Sequence, residues 1–550
     1  MRFSQMSALY ERLDGTTKKL EKRDILADFY KNCDDLYRAV VLSTGNVFQQ
    51  GEDELGVAEG MIKKVIARVA GASENEVVNA FKQTGDLGLV AERLMEKRKQ
   101  TALIKKELTL DIVFDTLRKL PSISGQGSQD RKVELIAHLL TNSSPLEARY
   151  IVRIALGQMR IGVATGIIRE AIAQAFGKEP KDVEHLFNML GDYGRVAEQA
   201  KRGRMKAEIE MFRPIRAMLA DRGGEDIRGA IEGFDHAAVE IKLDGFRTQI
   251  HKSGNKVQIF SRRMEDVTRQ FPDIAAYAKE SIRASECIVD GEAIAYDYSK
   301  NRTLPFQRLS RRIQRKYDID KMVKEIPVQV SLFDVIYLDG DSLMGKDLTK
   351  RWAMLKRIID ETKNFRLVEH IETNSAGEAE KFYKAAIAAG QEGVIVKNMA
   401  AHYQPGKRVG YWLKIKPILE PLDLVVIGAE WGEGKRAKWL SSVILAARKG
   451  NKLVSTGRMA SGFTEEQLEE LTKDLKPLIT GEEGKIVSVK PKIVIEIGYE
   501  EIQASSKYGS GYAFRFPRLL RIRTDEKGPF DADTVQTIQK LFKMQRGGKK

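Results

Sequence analysis

The hydrophobic period changes part-way along this chain, and the change limits what it can fold into. Up to about residue 215, apolar residues recur at three- and four-residue spacings. From about residue 235 they alternate, or form short β-branched runs. Side chains repeat every 3.6 residues on a helix and every two on a strand, so a helical part must precede a sheet part. In the helical part, Ser144 reads as an N-cap, Pro145 fits the first helical position, and Glu147 completes a capping box. Tyr150, Ile151, Ile154 and Met159 follow at near-helical spacing. Thr165 reads as a second N-cap, with Ile168, Ala171, Ile172, Ala175 and Phe176 on one face. Between these helices lies MRIGVATG, residues 159–166, a basic turn; SGQGSQDRK at 124–132 precedes another helix in the same way. Helix N-termini with spare N–H groups beside Arg or Lys suit phosphate, although ordinary interhelical turns read the same.

The sheet part contains AVEIKLDGF, TQIHK, KVQIFSRR, CIVDGEAIAYD, VQVSLFDVIYLDG and GVIVKN, with a hairpin signal at Ser253-Gly254-Asn255. Amphipathic segments such as LTKRWAMLKRIIDET interleave with them, which predicts an α+β arrangement with antiparallel sheets. Pro417 and Pro421 mark a linker. Beyond it, several short strands and a helix near 463–478 suit a small β-barrel of the OB type. A terminal helix, DADTVQTIQKLFKMQ, follows.

A chain of 550 residues is too long for one core and suggests about three domains. No apolar run reaches the roughly 20 residues of a membrane span, and the first residues, MRFSQMSALYERL, lack the apolar core of a signal peptide. An intracellular protein is therefore expected. Cys33 and Cys287 stand far apart, which excludes a Cys-rich zinc module and argues against a disulfide scaffold. The formal net charge of +15 favours a polyanionic partner, with solubility alone as the alternative.

One short segment raises a chemical question. In EIKLDGFR, Glu240, Lys242 and Asp244 fall on one face of a strand and Ile241 and Leu243 on the other. A lysine between two carboxylates is usually a solvated surface triplet. Here, however, polar segments recur in order downstream: SRRMEDVT at 261–268, DGEAIAYD at 290–297, LFDVIYLDG at 332–340, EGVIVK at 392–397, YQPGKRVGYWLKIK at 403–416 and RFPRLLRIRTDEK at 515–527. Each places Lys, Arg, Asp or Glu at a strand end. No GxxxxGK[ST] segment occurs, which argues against a P-loop ATPase.

This ordered set resembles the nucleotidyl-transferase motifs of ATP-dependent DNA ligases, with KLDG in the place of their KxDG nucleophile motif. The likeness runs the length of the chain. The helical region with QMRIGVATG resembles the DNA-binding domain of archaeal and eukaryotic replicative ligases, and the compact length is similar to that of archaeal members. The resemblance implies a multidomain fold: an all-helical DNA-binding domain at 1–215, an α+β adenylation domain with antiparallel sheets at 216–417, and an OB-fold β-barrel with its C-terminal helix at 418–550. It implies that Lys242 attacks the α-phosphorus of ATP and carries AMP. Glu240 would lie beside the adenine, Phe333 would stack on it, and Glu292 would bind the ribose. Arg247 and Arg262 would line the nucleotide and DNA-end pocket, and Arg408 would reach the phosphates. Lys414 and Lys416 would hold the α-phosphate, Glu392 would ligate a divalent metal such as Mg²⁺, and the run with Arg515, Arg518, Arg521 and Lys527 would close over the nucleotide. Nicked duplex DNA is the implied substrate, and a cytoplasmic monomer is expected. Gln100, Leu103 and Ile104 resemble a segment that binds the sliding clamp, without the aromatic pair usual there; an ordinary charged helix or loop is the alternative. Capping enzymes and RNA ligases share the lysine chemistry but normally lack the helical module. NAD-dependent ligases need a zinc-binding Cys cluster. A non-catalytic DNA-binding protein would explain the charge but not the ordered acidic and basic residues.

Overall fold

The computed structural model describes residues 1–48, 54–98, 106–223, 226–313, 315, 317–417, 419–432, 436 and 438–545. The clamp-like residues Gln100, Leu103 and Ile104 lie outside them. Twelve α-helices are described between Phe3 and Lys201. The helix Pro145–Ala155 begins as its sequence requires, with Ser144 and Glu147 closing a capping box around Pro145. The next expectation shifts by one residue: Ala164 is the N-cap of Thr165–Phe176 and makes no side-chain cap, so the Thr165 hydroxyl does not do the capping. Pro145–Ala155 is buried all round, and its charges are paired. Arg149 reaches Asp14 at 2.6 Å and Glu11 at 2.9 Å, and Arg153 reaches Asp86 at 2.8 Å. Around it one apolar core gathers Phe3, Tyr10, Tyr30, Leu139, Ile154 and Ile168.

From Ala237 the main strands are β1 (Ala237–Lys242), β2 (Phe246–Ser253), β3 (Lys256–Ser261), β4 (Glu286–Asp297), β5 (Val328–Leu338), β6 (Phe365–Leu367), β7 (His370–Thr373), β8 (Gly393–Asn398) and β9 (Trp412–Ile415). Then come β10 (Leu422–Trp431), β11 (Leu440–Lys449), β12 (Lys452–Met459), β13 (Ile479–Glu483), β14 (Ile486–Val489), β15 (Val494–Gly498), β16 (Glu501–Ala504), β17 (Tyr512–Arg515) and β18 (Arg518–Ile522). The chain divides into two compact units. The first is Met1–Asp221, Asp244–Val368 and Met399–Tyr411. The second is Arg222–Leu243, Glu369–Asn398 and Trp412–Lys550.

In the first unit, the strands run in the order β3-β2-β4-β5, all antiparallel. β6 departs from the expected pattern by pairing with β5 in parallel. The intervening helix Leu348–Ile358 provides the crossover that such a pairing needs. Two buried arginines brace this unit: Arg351 ties the helix Leu348–Ile358 to Asp334 of β5 at 2.7 Å with both side chains fully buried, and Arg312 of the helix Phe306–Ile313 holds Asp273 of the helix Pro272–Ser281 at 2.9 Å. The segment leading out of the helical region is tied down by polar side chains of β2. The Phe212 N–H donates to His251 Nδ1 at 3.1 Å. Gln249 both accepts from the Ile215 N–H, at 2.8 Å, and donates to its carbonyl, at 3.1 Å.

In the second unit, β9-β8-β1-β7 form an antiparallel sheet. Its apolar face, with Val239, Val394, Val396 and Ile415, packs on Ile231 of one helix and on Ala379 and Ala386 of another. Further on, β10, β11 and β12 form a meander. β14 and β15 both pair with β10, and β18 pairs with β15. An isolated bridge pairs Ser461, just past β12, with Arg518 on β18. The helices Glu465–Leu475 and Val535–Gln545 stand where expected. Cys33 and Cys287 are buried and unlinked. Among the described residues, no helix is long and apolar enough to cross a membrane.

Burial pushes the His251 ring down to about 3 from its ordinary 6.5. The geometry agrees with that direction: with Nδ1 accepting from Phe212, only Nε2 carries a proton, and Nε2 faces Gln249 Oε1 at 3.0 Å. Unfolding frees a histidine that takes up a proton. Its contribution to stability is therefore complete above pH 6.5, falls by about 1.4 kcal/mol per pH unit below it, and levels off near pH 3. The melting temperature should thus drop further between about pH 7.5 and about pH 5 in the wild type than in His251→Asn. Equal drops would show that the ring is protonated in the folded chain.

Candidate active site

Strand register decides which side chains share a face. Lys242 ends β1 opposite Gly393 of β8, and Glu240 stands opposite Ile395, which stands opposite Lys414 of β9. Lys397 lies opposite Ala238 on one side and Trp412 on the other. Paired residues share a face, so Glu240, Lys242, Lys397 and Lys414 all lie on the face opposite the valine core. Glu392, just before β8, and Lys416, just after β9, complete the set at its edge.

Gly393 makes this possible. Its φ is +147°, and a Cβ there would lie 2.1 Å from the Ile415 carbonyl oxygen. Only glycine lets β8 run so close to β9 in that conformation. The Glu392 N–H donates to the Lys242 carbonyl at 3.2 Å, and its carboxylate turns toward the lysines. Lys242 donates to Glu392 Oε2, and Lys416 lies 2.6 Å from Glu392 Oε1 and 3.1 Å from Glu500. Burial alone would raise the Glu392 carboxyl, but the charges of Lys242 and Lys416 outweigh it and hold the group below its ordinary value. For Lys416 burial works the other way, and Glu392 and Glu500 overcome it and raise the ammonium. The Glu392 carboxylate thus fixes Lys242 in place, while Lys416 is shared between Glu392 and Glu500.

The triplet expected from the sequence is rearranged. Lys242 has its partner 150 residues away, at Glu392. Glu240 instead pairs with Lys397 at 2.6 Å, the two side chains 2% and 1% exposed, and the Lys397 ammonium lies 4.4 Å from the Trp412 ring centre. The Asp244 carboxylate accepts from the Phe306 N–H at 3.4 Å. Sequence reasoning missed Lys397, although it alternates with Ile395 in EGVIVK. It also missed Glu500, for which no local pattern gave a signal.

A second group forms within the first unit. Arg247 on β2 donates to Asp290 of β4 and to the Met218 carbonyl, both at 2.6 Å, and its guanidinium lies 5.2 Å from the Phe333 ring centre. Tyr403 donates to the same Asp290 at 2.8 Å, and burial followed by the Asp290 charge pushes its hydroxyl well up. Asp290-Gly291, which on its own reads as a turn, lies inside β4, with Asp290 fully buried as the anchor of Arg247. Arg262 is lowered by burial and by repulsion from Arg247 and Arg408, and Glu292 partly offsets this. Arg247, Arg262, Arg408, Glu292 and Phe333 therefore form one group. Gly245 is required here too, because a Cβ would meet the Ala293 carbonyl oxygen at 2.4 Å.

The basic turn 159–166 is braced from within the helical region. Lys22 donates to the Ile161 carbonyl, and Arg153 donates to that of Met159 at 3.3 Å. Arg160 and Gly162 take left-handed conformations, φ 55° and 63°. In the run 515–527, Arg521 pairs with Glu496 at 2.8 Å, and Arg523 and Lys527 share Asp423 at 3.2 and 2.5 Å.

Three family patterns match the sequence in order: "DNA ligase N terminus" over residues 2–173, "ATP dependent DNA ligase domain" over 217–416, and "ATP dependent DNA ligase C terminal region" over 436–526. A DNA ligase of Nanoarchaeum equitans (strain Kin4-M) is 44% identical, with 100% of this chain and 99% of that protein aligned. A DNA ligase of Thermococcus onnurineus (strain NA1) is 43% identical, with 99% of this chain and 98% of that protein aligned. A solved structure named "Pmar-Lig_PreS3" shares the fold, with a TM-score of 0.59 and 17% identity over 94% of this chain and 99% of that one. Matched end to end by its relatives and in all three regions by the family patterns, the chain belongs to the ATP-dependent DNA ligases.

Proposed function

We propose that Lys242 is the nucleophile of a nick-sealing reaction, and that Glu392 and Lys416 are its immediate partners. The observation that carries this is the array Lys242–Glu392–Lys416 at one edge of the β1, β8 and β9 sheet. In the first step Lys242 Nζ attacks the α-phosphorus of ATP. A P–N bond forms, the bond to the bridging oxygen breaks, and pyrophosphate leaves. In the second, a 5′-phosphate oxygen at the nick attacks the same phosphorus and frees Lys242. In the third, the 3′-hydroxyl attacks the 5′-phosphorus and AMP departs. Lys414 and Lys416 stabilise charge on the α-phosphate, Arg408 reaches the phosphates, Phe333 and Glu240 receive the adenine, and Glu292 binds the ribose. Arg247 and Arg262 line the nucleotide and DNA-end pocket.

Among the described residues, no cluster of three or more His, Cys, Asp or Glu could cage a metal ion. Mg²⁺ commonly takes one or two carboxylates together with substrate phosphates, and Glu392, beside Lys242 and Lys416, is the carboxylate that would hold it. Mg²⁺ bound there would supply positive charge that favours the neutral amine of Lys242 over the ammonium. The division into a helical DNA-binding domain (1–215), an adenylation domain (216–417) and an OB-type barrel (418–550) is supported by the three matched regions, and the barrel also by the Ser461–Arg518 bridge. The braced turn at 159–166 then serves as a phosphate contact on duplex DNA.

Lys242→Ala should abolish covalent labelling by α-labelled ATP while the protein still binds nicked duplex. Retained labelling would overturn the assignment. Arg160→Ala should leave labelling intact, weaken nick binding, and lower the slope of log affinity against log salt by roughly one. An unchanged slope would remove this turn from the DNA interface. For the run 515–527, truncation is a poor test, because Leu519 and Ile538 belong to the core of this region. Point changes are better. Arg518→Ala and Lys527→Ala should suppress labelling by at least about tenfold and still close a pre-adenylylated nick at a measurable rate. Equal losses in both assays would mean that the run acts through folding or DNA binding.

A further inference from the structure

We propose that Lys397 is a positioning residue that sets the base selectivity of nucleotide transfer by holding the Glu240 carboxylate ionised and in one orientation. The proposal rests on the reading of Glu240 as the residue beside the adenine. Three observations carry it. First, the pair is buried almost completely, and Lys397 Nζ grips Glu240 Oε2 at 2.6 Å. Second, the lysine is itself held in place: it sits opposite Trp412 in the β8–β9 register, with its ammonium 4.4 Å from the indole ring centre. Third, the pair lies on the same face as Lys242, with Glu240 two residues before the nucleophile on β1.

Stability does not account for such a pair. Dehydrating two charges costs about as much as their attraction returns, and apolar side chains of similar size commonly serve a core as well. The core of this sheet lies on the opposite face, where Val239, Val394 and Val396 do that work. The chemistry of a purine does account for it. At C6, adenine presents an amine, which donates; guanine presents an oxygen, which accepts. An ionised carboxylate can only accept, so it attracts the first and repels the second. A buried glutamate without its lysine avoids the bare charge by taking a proton. It then carries an O–H that donates to an oxygen as readily as its other oxygen accepts from an amine, and the discrimination disappears. Lys397 thus acts on the nucleotide through Glu240, without touching it.

The test measures covalent labelling of the full chain with ATP and with GTP, as separate KM and kcat values. Lys397→Met, Lys397→Gln, Lys397→Arg and Glu240→Gln are compared with the wild type. The wild type should prefer ATP by at least roughly 100-fold in kcat/KM. In Lys397→Met the preference should fall below about tenfold, mainly through a higher KM for ATP, and Lys397→Arg should restore most of it. Should Lys397→Met not fold, Lys397→Gln, which keeps a neutral donor, must show the same fall. A structural role alone would lower labelling by both nucleotides together and leave their ratio unchanged, which overturns the proposal. If Glu240→Gln lowers the ratio and the Lys397 variants do not, the proposal fails and the reading of Glu240 stands. If Glu240→Gln leaves the ratio unchanged, that reading fails and the proposal with it.

Discussion

Gly393 has no side chain, and the polar face of the second unit depends on that. With φ at +147° and the Ile415 carbonyl where a Cβ would be, the observed register of β8 against β9 and β1 needs a glycine at 393. In that register Lys242 faces Gly393, and Glu240 faces Ile395. A slip of one residue would turn Glu240 and Lys242 into the apolar core and bring Val239 and Ile241 out, because strand side chains alternate. The cost of such a slip is set by the valines and alanines packed beneath. The placement of the charged residues is thus paid for by the hydrophobic face, which contains none of them.

Given that register, the charges arrange themselves by sign. Lys242, Glu392, Lys416 and Glu500 alternate, and each inner group touches two of opposite charge. This alternation keeps Glu392 ionised despite its burial. It also holds Lys242 to a carboxylate. Both features follow from one electrostatic balance, and both respond to whatever anion or cation enters it. An incoming phosphate competes with Glu392 and Glu500 for Lys416, and an incoming cation competes with Lys242 for Glu392.

How much of this was legible in the sequence depends on the distance between partners. Local features were legible: the Ser144–Glu147 capping box, the Ser253-Gly254-Asn255 hairpin, the two last helices and the strand that carries Lys242. The cap before Thr165 missed by one residue, because a hydroxyl at the first helical position satisfies the pattern without making the bond. Partners far apart in the chain were not legible. Which of Glu240, Asp244 and Glu392 would pair with Lys242 is decided by the β1–β8 register, and no spacing in EIKLDG encodes it. Asp290 looked like half of a turn because DG pairs usually are turns, and only its place inside β4 makes it the buried anchor of Arg247 and Tyr403. The resemblance to a ligase supplied candidate residues. The fold supplied their partners, including Lys397 and Glu500, which no motif had singled out.

On the proposed reading, the basic run at 515–527 would be structural in one state and chemical in another. Arg523 and Lys527 both bind Asp423, and Arg521 binds Glu496, so the run has counter-charges of its own. On the proposed reading these cations must exchange carboxylates for pyrophosphate oxygens and then exchange back. The first exchange has a cost, since Asp423 is buried and would lose its cations. The return is larger, since pyrophosphate offers more charge and more acceptor atoms than one carboxylate. Once pyrophosphate has left, Asp423 and Glu496 are again the best partners present. A run built this way needs no separate device to release it, because departure of the product removes what held it to the nucleotide.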